Sequence, residues 1–209
     1  SLDLDMYFTI KRILDLILST IGIIILLPML ILISIAIKID SPGPILFRQR
    51  RIGRNKNEFY ILKFRTMRVD APKDTPTHLL DNPNMYITKI GNILRKTSLD
   101  ELPQLFNILI GNMSIVGPRP ALWNQYDLIA KRDKYGANNI MPGLTGWAQV
   151  NGRDELPIEI KAEYDGEYVK KMSFLFDLKC CLKTIYSVIK RDGIVEGKNE
   201  KDENEKIKD

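Results

Sequence analysis

The pattern of hydrophobic positions separates one long apolar stretch near the start of the chain from several shorter, amphipathic ones. Residues 16–37 contain no charged side chain. At about 1.5 Å per residue, a helix of this length would just cross a hydrocarbon core of roughly 30 Å. A core helix is the alternative, but a chain of 209 residues offers little protein to surround a helix that is apolar on every side. The sequence therefore predicts a membrane-inserted helix within residues 1–40.

Two features of this stretch bear on how the helix enters the membrane. Basic residues flank it on both sides, namely Lys11 and Arg12 before it and Lys38, Arg48, Arg50, Arg51 and Arg54 after it. Pro28 lies near its middle, where proline removes a backbone hydrogen bond and favours a bend. A bent helix that enters and leaves through one face would keep Leu4 and Ile52 on the same, cytoplasmic side, whereas a kinked spanning helix is the alternative.

The rest of the chain alternates short strand-like and helical patterns. After the Ser-Pro-Gly-Pro turn at 41–44, apolar runs at 45–47 and 59–64 predict strands, and helical spacing predicts helices over 87–96, 102–109, 123–134 and 173–190. The fold class predicted is α+β and mostly helical, with a small β element and amphipathic interfacial helices. We expect three regions: the membrane-inserted helix at 1–40, a cytoplasmic-face catalytic domain at 41–193 and a disordered charged tail at 194–209.

Charge and composition narrow the chemistry. The net charge is +5, and between Arg48 and Arg68 eight basic residues accompany a single acid, Glu58, which predicts an anionic partner. The two cysteines are adjacent and match no metal-ligand spacing. The only histidine is His78, so histidine triads and HExxH zinc sites are nearly excluded.

The sharpest local feature is the run Thr97-Ser98-Leu99-Asp100-Glu101-Leu102-Pro103. Because proline is tolerated in the first helical turn, Pro103 places a helix start close to Asp100. The two carboxylates could simply cap that helix and complement its dipole. Alternatively, they form a nucleophile and metal-ligand pair for phosphoryl chemistry, with Arg95 close enough to hold phosphate oxygens.

Two further stretches could bind a substrate. Arg119 lies between two prolines, which suits a rigidly presented guanidinium for phosphate, although an exposed loop arginine explains it equally well. The stretch 141–153 is punctuated by glycines, so Trp147 and Arg153 could face a nucleotide. A hairpin with a buried tryptophan explains that stretch as well.

Six blocks in order along the chain resemble one family. They are KRILDLILS, GPILFRQRRIG, FYILKFRTM, LRKTSLDELPQLFNILIGNMSIVGPRP, MPGLTGWAQVNGR and YVKKMSFLFDL, which together extend from about Tyr7 to about Gly193. The chain resembles the bacterial sugar transferase family, the monotopic polyprenol-phosphate phosphoglycosyl transferases, and looks like its minimal catalytic form.

The resemblance implies transfer of a sugar 1-phosphate from a UDP-sugar to a polyprenol phosphate at the cytoplasmic face of the bacterial inner membrane. UMP would leave, and an aspartyl-phosphosugar would form on the way to the polyprenyl-diphospho-sugar that initiates glycan assembly. By the same resemblance Asp100 is the nucleophile and Glu101 binds the cofactor Mg²⁺. The implied substrate-binding residues are Lys63, Arg95, Arg119, Arg153 and Asp165.

One departure from the family pattern concerns the membrane helix. The family's re-entrant helix often breaks at Ser-Pro, whereas this chain has Leu27-Pro28, so Ser19, Thr20 or a neighbouring helix would have to satisfy the freed carbonyl. The rival functions are a membrane-anchored basic scaffold and a nucleic-acid-binding protein, both without catalysis. We expect no nucleic-acid partner, because aromatic residues do not interleave the basic stretch as stacking platforms. The sequence predicts neither the sugar nor the oligomeric state.

Overall fold

The structure is a computed structural model, and it describes residues 2–75, 80–152 and 156–190. It is mostly helical with a small β component, which confirms the predicted α+β class. The helices are α1 (Leu2–Asp40), α2 (Lys89–Thr97), α3 (Gln104–Ile110), α4 (Tyr126–Asp133), α5 (Trp147–Val150), α6 (Ile158–Lys171) and α7 (Phe174–Lys190). The strands are β1 (Leu46–Ile52), β2 (Glu58–Phe64), β3 (Ser114–Val116) and β4 (Gly143–Thr145). The tail predicted to be disordered at 194–209 lies outside the described residues.

The predicted strands form an antiparallel hairpin. In its register Leu46 faces Phe64 and Ile52 faces Glu58. The basic stretch is therefore part of the sheet rather than a loop, since Arg48, Arg50 and Arg51 all lie on β1.

The glycine-punctuated stretch is not a hairpin. Instead, β4 pairs in parallel with β3, and the chain then turns into α5. Trp147 is buried there, as the interpretation with a buried tryptophan predicts. Its indole N–H donates to Glu167 Oε2 at 2.7 Å. The Trp147 ring packs at a tilt against Phe176 of α7. Trp147 does not line the cavity that lies beside the β1–β2 hairpin.

Helix α1 continues unbroken through Pro28 for 39 residues. One face packs along the body of the protein: Leu30, Ile33 and Ile37 join a core cluster with Phe64 of β2 and Leu94 of α2. The opposite face exposes large apolar side chains; Ile25 and Leu32, for example, are 70% and 67% exposed. By length and composition this helix could cross a membrane. Its exposed apolar face indicates membrane association.

Polar side chains near the start of α1 fasten it to the same body. The Arg12 guanidinium donates to the carbonyl oxygens of Ile108 and Leu109, at the end of α3, over 2.6 and 3.0 Å. Asp15 Oδ1 accepts from the backbone N–H of Ile115 in β3 at 3.0 Å. Both halves of α1 therefore contact one folded unit.

One of the two hydroxyl groups suggested as partners for the carbonyl freed by Pro28 is engaged elsewhere. Ser19 donates to the carbonyl of Leu16 at 3.2 Å, so its single proton does not serve the carbonyl four residues before Pro28. Helix α3 lies against this part of α1, with Leu105 next to Gly22.

The predicted amphipathic helix at 173–190 is present as α7, and its apolar face is open. Leu175, Ile185 and Ile189 are all more than half exposed. An apolar face that no other element covers is typical of a helix lying at a membrane surface. Within the described part of the chain, α1 and α7 thus present two apolar faces that no other element covers.

Candidate active site

A tight turn between α2 and α3 places the two candidate carboxylates side by side. Ser98 ends α2 in the left-handed region, with φ 58°, and Leu99–Glu101 then form a single 3-10 turn. The full α-helix begins only at Gln104, after Pro103, so Asp100 precedes that helix by one more turn than the sequence predicts. Neither carboxylate caps the helix by a side-chain hydrogen bond, so the capping part of the structural interpretation is wrong.

Asp100 is a buried carboxylate in the wall of a cavity. It is 9% exposed, and no hydrogen bond from another described residue reaches its side chain. Burial raises the pKa of Asp100, and the nearby charges of Lys63, Arg95 and Arg119 oppose that rise only in part. Such a carboxylate keeps its basicity and its lone pairs, as a nucleophile requires.

Glu101, by contrast, is shared between two cations. Its Oε1 accepts from Lys63 Nζ and from Arg119 Nη2, both at 3.1 Å. Burial lowers the pKa of Lys63, and the Glu101 charge counteracts this shift. Lys63 lies near the end of β2, so the β1–β2 hairpin contacts the 3-10 turn Leu99–Glu101 at the Glu101 carboxylate.

The loop that bears Arg119 is held from two sides. The Arg51 guanidinium donates to the Pro120 carbonyl at 2.9 Å, and the backbone N–H of Gly143 donates to the Pro118 carbonyl at 2.9 Å. A Cβ on Gly117 would lie 2.3 Å from the Met141 carbonyl oxygen, so only glycine permits this close approach of strands β3 and β4. Arg119 is thus a rigidly presented guanidinium, as the flanking prolines suggest.

Arg95 joins the same cavity from the last turn of α2. Its Nη1 lies 3.5 Å from the Thr66 hydroxyl oxygen, and its charge acts on Asp100. The structure thus brings Lys63, Arg95 and Arg119 together around Asp100 and Glu101. Arg153 lies outside the described residues.

The cavity itself has a volume of about 530 Å³, within the range of small-molecule sites. Among the described residues, ten basic and two acidic side chains line it, and the two acids are Asp100 and Glu101. This imbalance favours a ligand with several negative charges. Not every basic residue is available: Arg65 is buried and donates to the Ser41 and Pro44 carbonyls, which holds the linker after α1.

Another part of the cavity wall contains a residue that the sequence analysis missed. Arg132 of α4 lines the cavity, is buried, and donates through Nε to Asp165 Oδ2 at 2.7 Å. Asp165 of α6 is itself 1% exposed and is not one of the cavity-lining residues, so it meets a ligand only through Arg132. Burial raises the pKa of Asp165, and the Arg132 charge opposes that rise. No local motif marks Arg132, because its partner is 33 positions away.

The donor set suits one kind of metal site. In the described part of the chain no group of three or more histidine, cysteine, aspartate or glutamate side chains could hold a metal. Mg²⁺, however, commonly uses one or two carboxylates, several waters and the phosphates of its substrate. Adjacent Asp100 and Glu101 in a cavity suited to phosphates fit that mode.

Comparison with known proteins shows that the chain is similar to members of one family. The model of the bacterial sugar transferase family matches residues 6–191. The chain is 40% identical over 195 residues to a UDP-glucose:undecaprenyl-phosphate glucose-1-phosphate transferase of Xanthomonas campestris pv. campestris, covering 90% of this chain and 40% of that protein. It is 35% identical over 189 residues to a UDP-N-acetylgalactosamine-undecaprenyl-phosphate N-acetylgalactosaminephosphotransferase of Aeromonas hydrophila, covering 88% of this chain and 44% of that protein.

A shorter relative matches over nearly its whole length. The uncharacterized sugar transferase EpsL of Bacillus subtilis is 38% identical over 186 residues, which cover 88% of this chain and 90% of that protein. The chain thus spans about two fifths of the length of the first two relatives and about nine tenths of the third.

Proposed function

The chain belongs to the bacterial sugar transferase family, and from that premise we propose that it transfers a sugar 1-phosphate from a UDP-sugar to a polyprenol phosphate. The names of the Xanthomonas and Aeromonas relatives support this choice of substrates, since both pair a UDP-sugar with undecaprenyl phosphate. The observation that favours catalysis over a basic scaffold is Asp100, a buried carboxylate without a hydrogen-bond partner among the described residues in a strongly basic cavity. The products are UMP and a polyprenyl-diphospho-sugar, the first membrane-bound intermediate of a glycan.

The reaction proceeds in two displacements. A carboxylate oxygen of Asp100 attacks the sugar-bearing phosphorus, the bond from that phosphorus to the bridging oxygen breaks, and UMP leaves with the electron pair. An oxygen of the polyprenol phosphate then attacks the same phosphorus and releases the Asp100 carboxylate. Dividing the transfer in this way avoids direct reaction between two anionic substrates.

The neighbouring residues orient the phosphates and neutralise their charge. Lys63 and Arg119 share Glu101 in the structure and would bind the phosphoryl oxygens on which charge develops. Glu101, next to Asp100, would hold Mg²⁺, which supplies charge neutralisation at the diphosphate when bound. Arg95 approaches from the side of α2, where the lipid phosphate would enter.

The direct test is the mass of the intact protein after incubation with a UDP-sugar and Mg²⁺ in the absence of lipid acceptor. UDP-glucose and UDP-N-acetylgalactosamine are the first probes, because relatives use them by name. We expect a gain of one sugar phosphate, mapped to Asp100 and lost in Asp100→Asn together with turnover. The Asp133→Asn variant, which removes an exposed carboxylate paired with Lys56, is the matched control. Normal turnover in Asp100→Asn would contradict the proposed nucleophile and favour a scaffold role.

For α1 we propose re-entry, with both ends of the helix on the cytoplasmic face of the inner membrane. The early turns contact α3 and β3 through Arg12 and Asp15, and the late turns pack on α2 and β2. A helix crossing the bilayer would separate its first turns from the domain that follows its last turn. UDP-sugars are cytoplasmic substrates, so the cavity must open to that side.

Single cysteines placed at Leu4 and Asn55 test this topology in intact cells. Both positions are exposed, and a Cys180→Ala, Cys181→Ala background removes the native thiols. We expect both sites to be protected from an impermeant reagent added outside and labelled after the inner membrane is opened. Outside labelling at position 4 alone would establish a spanning helix and exclude re-entry, with the enzymatic proposal unaffected.

A further inference from the structure

The cavity has two ends that differ in their distance from the apolar surface. The turn with Asp100 lies between α2 and α3, and both of these helices pack on α1. The opposite wall is formed by α4 and α6, which pack on each other, and by the residues after β4. We call this second wall, with Arg132, Gln149 and Lys161, the far wall.

The far wall presents a guanidinium that is fixed in place. Only about 5% of the Arg132 side chain and 1% of the Asp165 side chain are exposed. The carboxylate contacts Nε, and among the described residues the two terminal nitrogens of Arg132 have no hydrogen-bond partner. Since a guanidinium offers five N–H donors in a planar fork, those donors are available on the cavity side.

The position of the far wall indicates which substrate group it could bind: the nucleoside monophosphate or the lipid phosphate. Both the departing UMP and the arriving lipid phosphate occupy the side of the phosphorus opposite Asp100, because displacement at phosphorus is roughly in line. The two ligands differ in the group attached to the phosphate: a polyprenyl chain must lead to the apolar faces near α1, whereas a nucleoside can extend away from them. Arg132 lies on α4, which packs mainly on α6, whereas α1 packs mainly on α2, α3 and β3. Arg132 and Lys161 also add positive charge to the far wall.

We propose that Arg132 and Lys161 bind the nucleoside monophosphate portion of the sugar nucleotide, and that Asp165 is a positioning residue that acts through Arg132. This inference rests on the proposed function and refines it. It also accounts for an acid at position 165 that does not itself reach the cavity.

The test measures binding of UMP to the full chain by calorimetry, alongside steady-state kinetics with both substrates. Arg132→Gln should weaken UMP binding by roughly 10- to 100-fold, the range for losing charge-assisted hydrogen bonds. The KM for the UDP-sugar should rise in parallel, and the KM for polyprenol phosphate should stay within about twofold. Lys131→Gln removes a charge from the adjacent, exposed position, paired with Glu159, and should leave UMP binding unchanged.

A second variant separates binding from folding. Arg132→Gln alone leaves the Asp165 carboxylate buried without its cation, which could unfold α4 from α6. The double variant Arg132→Gln, Asp165→Asn replaces the ion pair by two amides, so its melting temperature should stay near that of the unmodified protein. Its UMP affinity should be no lower than that of Arg132→Gln, because Asp165 acts only through Arg132.

The outcomes are distinguishable. A folded double variant that binds UMP like the unmodified protein would overturn the inference. A rise in the KM for polyprenol phosphate with unchanged UMP affinity would also overturn it and assign the far wall to the lipid. If UMP binding depends on Arg132 but no sugar phosphate is ever transferred, the far-wall site stands and the proposed function fails.

Discussion

Two aspartates, the buried Asp100 and the partly buried Asp177, occupy opposite kinds of environment. Asp177 of α7 accepts three hydrogen bonds, from the Tyr7 hydroxyl at 2.9 Å, the Lys11 ammonium at 2.7 Å and the Tyr168 hydroxyl at 2.8 Å. Asp100 accepts none from the described residues, although three cations lie near enough to influence its pKa. The Asp177 carboxylate lies within a hydrogen-bonded cluster, whereas Asp100 lines a cavity.

The contrast shows how burial serves structure in one place and chemistry in another. The cluster around Asp177 joins α1, α6 and α7, and its three donors engage both carboxylate oxygens, so it fastens the membrane helix to the body. At Asp100 no hydrogen bond from the described residues compensates for burial, and such a carboxylate readily binds a proton, a cation or an electrophile. Substitutions at the two sites, and at Glu101 beside Asp100, should therefore differ in kind as well as in size.

Among variants that keep the Asp100 nucleophile, the largest effect should come from Glu101→Gln. The change keeps the shape of the side chain but removes the charge that Lys63 and Arg119 share and the candidate ligand for Mg²⁺. We expect kcat to fall by about 100-fold or more, as for loss of a preorganised electrostatic group, and the Mg²⁺ concentration for half-maximal rate to rise. Glu159→Gln, at an exposed ion pair, is the control and should retain full activity. Turnover by Glu101→Gln in EDTA at the normal rate would disprove the metal assignment.

The sequence predicted much of the candidate active site around Asp100. Asp100, Glu101, Arg95 and Arg119 stand within 25 positions of one another, and proline and glycine punctuate the turns that present them, so local pattern and family resemblance suffice to find them. The predicted fold class and the amphipathic helix at 173–190 follow from periodicity in the same way.

The buried and partly buried ion pairs between helices could not be predicted from the sequence, because their two partners are far apart along the chain. Lys11 and Asp177 are 166 positions apart and Arg132 and Asp165 are 33 apart, so each contact exists only once the helices have packed. Asp165 illustrates the consequence: its position in the family pattern suggested substrate contact, whereas its burial shows that Arg132 stands between it and the cavity. The start of α3 also differs from the prediction, since α3 begins at Gln104 and a 3-10 turn occupies Leu99–Glu101. Pro103 is compatible with either kind of turn, so the sequence did not distinguish them.

A smaller effect, on stability rather than rate, should follow Asp177→Asn. The variant leaves Lys11 without its partner in a site where the two side chains are only 12% and 13% exposed. Breaking such a pair costs about 2–4 kcal/mol, somewhat less than for a fully buried pair, which at this chain length lowers Tm by roughly 4–16 °C. Residual kcat per folded molecule at 25 °C should stay within about threefold. Asp133→Asn, at a pair that is about half exposed, should shift Tm by less than about 3 °C; equal shifts in the two variants would refute the anchoring role of Asp177.

The smallest effect has the opposite sign and concerns the stability of Asp100→Asn. Because burial raises the pKa of Asp100 in the folded protein, the folded state binds a proton at this site more tightly than the unfolded chain does. Its contribution to stability is therefore fully present at a pH below the unfolded pKa of about 4 and is lost as the pH rises through the folded pKa. At pH 7 the unfolded chain is ionised at this position, so the raised pKa of Asp100 destabilises the fold. The neutral amide should relieve that cost, giving a Tm equal to that of the unmodified protein or up to a few degrees higher. At pH 4 the difference between the two proteins should be much smaller. Thermal melts in detergent without substrate or Mg²⁺, at both pH values, measure this, since either ligand would stabilise the charged form. A variant that melts below the unmodified protein at pH 7 would show that the surrounding cations outweigh burial at Asp100, and the contrast with Asp177 would then be one of degree.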